Sequence, residues 1–193
     1  MKILFIGDIV GSPGREAIKK LVGHLRQDLK IDFVIANAEN AAGGSGITAK
    51  VAEELFASGV DVLTSGDHIW KKSEIFELIN QEERILRPIN FPSGAPGRGA
   101  KVFKAKNGVK VGVINVNGRV FMEALECPFR AALGACEELA AETKIIIIDS
   151  IIPIPVGEPT NTIKPDNGLG ATVCGTVVVV VVVGVVVVVV VVG

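Results

Sequence analysis

The sequence predicts a layered α/β domain with a mostly parallel sheet and flanking helices. Short continuous apolar runs at 3–6 and 33–36 are expected of strands buried on both faces, and Val60-Asp61-Val62-Leu63-Thr64 reads as a third strand. Segments with helical spacing alternate with them, which implies right-handed crossovers between parallel neighbours. A polar, glycine-containing loop follows each run.

The elements follow in order. Ile3-Leu4-Phe5-Ile6 is the first strand, and Gly-Asp-Ile-Val-Gly-Ser-Pro-Gly is the loop after it. Residues 15–29 carry Ile18, Leu21, Val22 and Leu25 at helical spacing. Phe33-Val34-Ile35-Ala36 is the second strand and ends in a glycine-rich loop over 37–46. Thr48 is placed to cap a helix running through Ser58, with Val51, Leu55 and Phe56 facing inward. The third strand leads into Ser-Gly-Asp-His and then a short helix over 73–79. Residues 80–100, rich in Pro and Gly, read as an ordered surface loop. Residues 99–105 and 109–116 fit two strands joined at Asn107-Gly108. Residues 129–142 are helical, and 144–148 form another buried strand, ending at Asp149.

Three regions result: the N-terminal part of a domain over 1–149, a Pro/Gly-rich irregular connection over 150–170, and a low-complexity, valine-rich tail over 171–193. The tail is long enough to span a bilayer. It lacks a flanking basic cluster, and poly-valine prefers extended structure. It reads first as low-complexity or designed filler; folded, it is expected to supply strands completing the sheet layer, and a membrane span is not expected.

The valines inflate the apolar fraction of 49%. Even so, a domain of roughly 150 residues buries about 68–70% of its unfolded surface and holds a real core. A net charge of −1 gives no general attraction to nucleic acid or anionic membrane. The opening apolar run is too short for a signal peptide. Cys127, Cys136 and Cys174 are widely spaced without a CxxC pair and read as free thiols of a reducing cytoplasm. His24 reads as a surface residue of the first helix.

Chemistry-bearing residues collect after three strands. The first loop holds Asp8, the second Glu39 and Asn40, the third Asp67 and His68. In an open parallel sheet, loops beyond the carboxyl ends of the strands converge. Three carboxylates in one pocket repel one another unless a cation is present. Oxygen-rich donors with one or two nitrogens suit Mn²⁺, Fe or Mg²⁺. A carboxylate such as Glu39 can bridge two ions about 3.5–4 Å apart, the spacing of two-metal hydrolases. Trp70, next to this site, either packs beside it or stacks on a base.

The stretches Gly7-Asp8-Ile9-Val10-Gly11, Asn37-Ala38-Glu39-Asn40-Ala41-Ala42-Gly43-Gly44 and Gly66-Asp67-His68-Ile69-Trp70 carry a family resemblance. So do Arg87-Pro88, Gly97-Arg98-Gly99, Gly118-Arg119-Val120-Phe121-Met122 and Cys127-Pro128-Phe129. Together they resemble the bacterial 2′,3′-cyclic-nucleotide 2′-phosphodiesterases of the calcineurin-like metallophosphoesterases, from Met1 to about Asp149. The resemblance implies a metallophosphoesterase sandwich and two divalent ions, iron or manganese with magnesium as an alternative. It implies that Asp8, Glu39 and Asn40 are metal ligands, with Glu39 bridging. Asp67 stands where the family has an amide ligand to the second metal. His68 matches the residue that protonates the leaving oxygen. Arg119 lies in a matched stretch without an assigned role. The implied substrate is a small phosphodiester attacked by metal-bound hydroxide. No stable nucleic-acid partner is expected, and a homo-oligomer is left open.

Two departures bear on activity. The first is Asp67 itself, where the family has Asn. The second is downstream. The family follows the strand equivalent to 145–149 with a ligand histidine and later supplies Gly-Thr-His-Thr-His. This chain has Ile151 at the first place, Gly175-Thr176 and valines at the second, and no histidine after His68. Two alternatives to the enzyme therefore stand: a non-catalytic remnant or engineered scaffold, and a phosphate- or nucleotide-binding module. The extra charge of Asp67 predicts that Asp67→Asn weakens Mn²⁺ binding and strengthens phosphate binding. Calorimetric titration of both ligands checks this, and unchanged affinities would refute it.

Overall fold

The computed structural model describes residues 1–119, 123–151, 170–174, 177–183 and 187–191. Two sheets carry the fold. In the first, β1 (Lys2–Ile6), β2 (Phe33–Asn37) and β3 (Val62–Thr64) run parallel in the order β3-β2-β1. There β9 (Val187–Val191) pairs antiparallel with β1. The second sheet has the order β4-β5-β6-β8-β7. Its central strands β5 (Lys110–Asn117), β6 (Ile145–Ile151) and β8 (Val177–Val183) are parallel. Its outer strands β4 (Ala100–Lys104) and β7 (Gly170–Cys174) are antiparallel to their neighbours. The helices are α1 (Gly11–Asp28), α2 (Ala49–Ala57), α3 (Ile75–Gln81) and α4 (Pro128–Ala140).

Strand alternation makes the layers. Ile3, Phe5, Phe33, Ile35 and Val62 of the first sheet pack against Val111, Val113, Ile145 and Ile147 of the second. The intervening residues of β1 and β2, among them Leu4, Ile6 and Val34, face the other way and meet Ile18 and Val22 of α1 and Leu55 of α2. On the far side, Ile114, Val116, Ile146 and Ile148 carry Ala135 of α4. The result is helices, sheet, sheet, helix. A run buried on both faces is equally compatible with a helix or a second sheet on either side. The sequence therefore shows the strands without showing that they divide into two sheets.

Boundaries move by a few residues. α1 starts at Gly11, taking in part of the expected first loop, because Pro13 is well suited to a first helical turn. Thr48 caps α2 as expected, its Oγ1 accepting from Val51 N at 3.3 Å. A 3-10 turn over Asp67–Lys71 precedes α3, where the sequence suggests only a loop. Leu21, though at helical spacing with Ile18 and Val22, stands 54% exposed, and Cys127 and Cys136 are half-buried free thiols. Residues 152–169 and Gly175-Thr176 lie outside the described residues. Among those described, no helix is long and apolar enough to cross a membrane.

The expected surface loop over 80–100 is partly interior. Leu86 N donates to Leu63 O at 2.8 Å, Ile89 N to Asn115 O at 2.8 Å, and Asn115 N to Gly99 O at 2.9 Å. The segment therefore spans from β3 to β5 and ties the two sheets together. Buried Arg87 holds its bend by donating to the carbonyls of Pro88, Ala95 and Pro96. Gly99 is required there, because a Cβ would fall on the backbone of Ile89. Gly99→Ala is expected to destabilise the fold by about 1–3 kcal/mol. Gly23→Ala, in open space on α1, should be neutral or stabilise by about 0.5–1 kcal/mol. Urea denaturation of both variants checks the pair, and equal effects would contradict this packing.

Candidate active site

The three loops are bonded into one unit at the carboxyl ends of the parallel strands. Ile9 N donates to Asn37 O at 3.0 Å, Gly11 N to Asn40 O at 2.9 Å, and Ala38 N to Thr64 O at 3.0 Å. The second loop can fold back because Gly43 and Gly44 take left-handed φ values of 71° and 90°. Ile69, fully buried, anchors the 3-10 turn that carries Asp67 and His68.

The side chains of this unit interlock. Asn40 Nδ2 donates to both Asp8 oxygens, at 2.9 and 3.0 Å. Asn40 Oδ1 lies 2.6 Å from His68 Nδ1. The amide oxygen can only accept, so Nδ1 carries a proton. His68 Nε2 sits 3.7 Å from Asp67 Oδ2. The backbone N–H of His68 points to Glu39 Oε2 at 3.5 Å. Asp8, Glu39, Asn40, Asp67 and His68 are thus linked to one another in this unit. His24 is exposed on α1, and Arg119 is exposed. The stretch Val120-Phe121-Met122 lies outside the described residues.

Glu39 is 6% exposed. Its pKa is pushed up to about 7, first by burial and then by the carboxylate of Asp67. The His68 N–H lowers it, and Asp8 and Asp149 raise it further. The side chains that raise it, Asp67, Asp8 and Asp149, are all anionic. Such a group fits a hard divalent cation in kind, since a cation would supply the missing counter-charge. Asp8, Glu39, Asn40 and Asp67 are the residues that could hold one. Among the described residues, however, no three His, Cys, Asp or Glu side chains converge tightly enough to enclose an ion.

Sequence reasoning missed a second tier beneath these residues. Asn37 Oδ1 accepts from Glu39 N at 3.1 Å, and its Nδ2 donates to Asp149 Oδ2 at 3.0 Å. Asn115 Oδ1 accepts from Ser65 N at 3.2 Å. Asp149 is held up to about 6 by burial, against the lowering hydrogen bonds of Thr64 and Asn37. The signal was present: a polar residue at or near the end of an apolar strand, in each of β2, β5 and β6.

Residues 4–151 match the family described as YmdB-like protein. The chain is 47% identical over 149 residues to the 2′,3′-cyclic-nucleotide 2′-phosphodiesterase of Bacillus subtilis (strain 168), covering 77% of this chain and 56% of that protein. A solved structure of a hypothetical protein from Thermus thermophilus superposes with a TM-score of 0.70 at 34% identity, over 80% of this chain and 59% of that one. A phosphatase from Mycoplasma pneumoniae superposes with a TM-score of 0.71 at 26% identity, over 80% and 56%. The chain spans about half the length of the curated relatives it matches.

The raised pKa of Glu39 sets a pH dependence. The folded state holds a proton that the unfolded chain releases above about 4.5. Without added metal, stability is therefore lost as pH rises from about 4.5 to about 7, by an amount on the order of 3 kcal/mol. Glu39→Gln should flatten that decline. Chemical denaturation across this pH range in the presence of chelator checks this, and parallel pH profiles for the two proteins would contradict it.

Proposed function

The chain belongs to the YmdB-like family of calcineurin-like phosphoesterases, and from that premise we propose that its strand-end site binds divalent cations and cleaves a phosphodiester bond. The observation that carries this reading is Glu39, a buried carboxylate crowded by the carboxylates of Asp67, Asp8 and Asp149. Such crowding is costly in a fold unless the site serves to attract positive charge.

Asp8, Glu39, Asn40 and Asp67 are assigned to the cations, with iron or manganese the metals that best suit this donor set and Glu39 shared between two of them. Bound there, divalent ions would neutralise phosphate charge and acidify coordinated water. The chain's own residues do the rest. Asn40 links Asp8 to His68 and sets the ring's orientation. Because Nδ1 donates to Asn40, a proton delivered to a leaving oxygen comes from Nε2. His68 is the residue placed to do this, since the chain's other histidine lies on the exposed face of α1.

For the substrate we take a 2′,3′-cyclic nucleotide, by similarity to the Bacillus relative named for that activity. The free thiols Cys127 and Cys136 support a reducing, cytoplasmic setting. We further propose that the domain of 1–149 carries the site residues, with the valine-rich tail contributing only strands. A second reading, a phosphate- or nucleotide-binding module, is favoured by one observation: no histidine follows His68. Incubation with Mn²⁺ and either bis(p-nitrophenyl) phosphate or 2′,3′-cyclic AMP separates the two. The enzyme reading expects turnover that Asp8→Ala abolishes. Thermal stabilisation by the ligand without turnover supports the binding module instead. Neither turnover nor stabilisation would overturn both.

A further inference from the structure

A cavity of 480 Å³ opens beside the 3-10 turn that carries His68, lined by Asp67, Trp70, Phe91, Asn117 and Leu125 among others. That volume falls within the range of small-ligand clefts, roughly 300–1,000 Å³. Two features set its chemistry. Trp70 and Phe91 form its aromatic wall. Trp70 is half-buried, stacked on Phe76 at 5.0 Å and edge-on to Phe91 at 5.9 Å, so the platform is fixed before any ligand arrives. Asn117, at the carboxyl end of β5, supplies the second feature. It is 1% exposed, and its backbone N and O are both bonded to the side chain of Asn90. Its Oδ1, however, is buried with no hydrogen-bond partner among the described residues. A buried amide oxygen left unsatisfied is costly, and a ligand N–H would relieve it.

An aromatic wall and an acceptor unpartnered among the described residues, in a cavity that Asp67 also lines, suit a flat heteroaromatic ring bearing an N–H donor. We propose that this cavity is a nucleobase subsite that stacks an amino-bearing base against Trp70 and Phe91, with Asn117 Oδ1 accepting from the base's amino group. The inference deepens the phosphodiesterase reading and rests on it. It assigns the substrate's base to one side of the His68 turn and its phosphate to the strand-end carboxylate site on the other. Asp67, Glu123 and Lys71 also line the cavity, and two carboxylates against one ammonium disfavour the phosphate there while leaving a neutral base unopposed.

Trp70 is the only tryptophan of the chain, so its fluorescence reports the cavity directly. The full chain is titrated with adenosine, with purine riboside, which lacks only the amino group, and with inorganic phosphate, all without metal. Adenosine should quench saturably, purine riboside should bind about fivefold more weakly, and phosphate alone should not quench. Asn117→Ala should bring the two nucleosides to equal affinity. Phe91→Leu, which keeps an apolar side chain but no ring, should weaken both about tenfold. Far-UV circular dichroism verifies the fold of each variant, and Asn117→Ala decides alone if Phe91→Leu does not fold. Absence of saturable quenching, equal affinity for the two nucleosides in the unaltered chain, or quenching indifferent to the substitutions would each overturn the proposal. Nucleosides carry no phosphate and bis(p-nitrophenyl) phosphate carries no base, so the subsite and the phosphodiesterase reading fail separately.

Discussion

The side-chain amide of Asn37 joins everything the site needs. It lies at the end of β2, 4% exposed, with its oxygen on the backbone of Glu39 and its nitrogen on Asp149 of the opposite sheet. Where β-sheets pack face to face, apolar side chains fill the space between them and leave their relative sliding weakly specified. A polar bridge fixes it, because an unmet partner in the interior costs about 1–3 kcal/mol. Ser65 and Asn115 repeat the device one strand over. The carboxyl ends of β2, β3, β5 and β6 are therefore held level, and the loops that leave them start from one platform.

That platform carries an electrostatic cost. Glu39 and Asp149 are both buried, and both are held well above the ordinary carboxylate range. A fold selected for stability alone would place apolar residues there, since replacing buried charges with well-packed apolar groups is often neutral or favourable. The carboxylates sit at the ends of strands whose apolar residues already supply the core, so the cost stays local. The same strands that bury Phe5, Ile35 and Ile147 between the sheets thus present acid at their tips without disturbing the interior.

The sequence shows some of this and hides the rest for identifiable reasons. Asp8, Glu39, Asn40, Asp67 and His68 are legible because each follows an apolar run, and topology alone brings such loops together. The division into two sheets is not legible, because Ile3 and Leu4 look alike in sequence although they face different layers. Leu86 and Arg87 are misread because Pro and Gly on either side signal a surface turn, whereas the segment is drawn inward by bonding to β3 and β5. Asn117 escapes notice because nothing local distinguishes a buried asparagine from a turn asparagine. Only the absence of a partner for its oxygen among the described residues does so.

The valine strands pose a different problem of specification. β1 pairs with β2 through Ile3, Leu4, Phe5 and Ile6 opposite Phe33, Val34, Ile35 and Ala36, and the side chains along each strand vary in size and shape. A slip of one residue would reverse the faces of β1 and break the fit on both. The pairing of β1 with β9 sets the same four residues and Lys2 against five valines, and β6 likewise meets an all-valine β8. Sliding a homopolymer along its neighbour returns the same residue to every position, so the valine sequence itself does not choose the register. The backbone ladder alone remains, and it is satisfied equally well after each allowed slip. The geometry of Asp8, Glu39 and His68 is set by β1, β2 and β3 with their varied sequences, and its precision does not depend on where the valines stop.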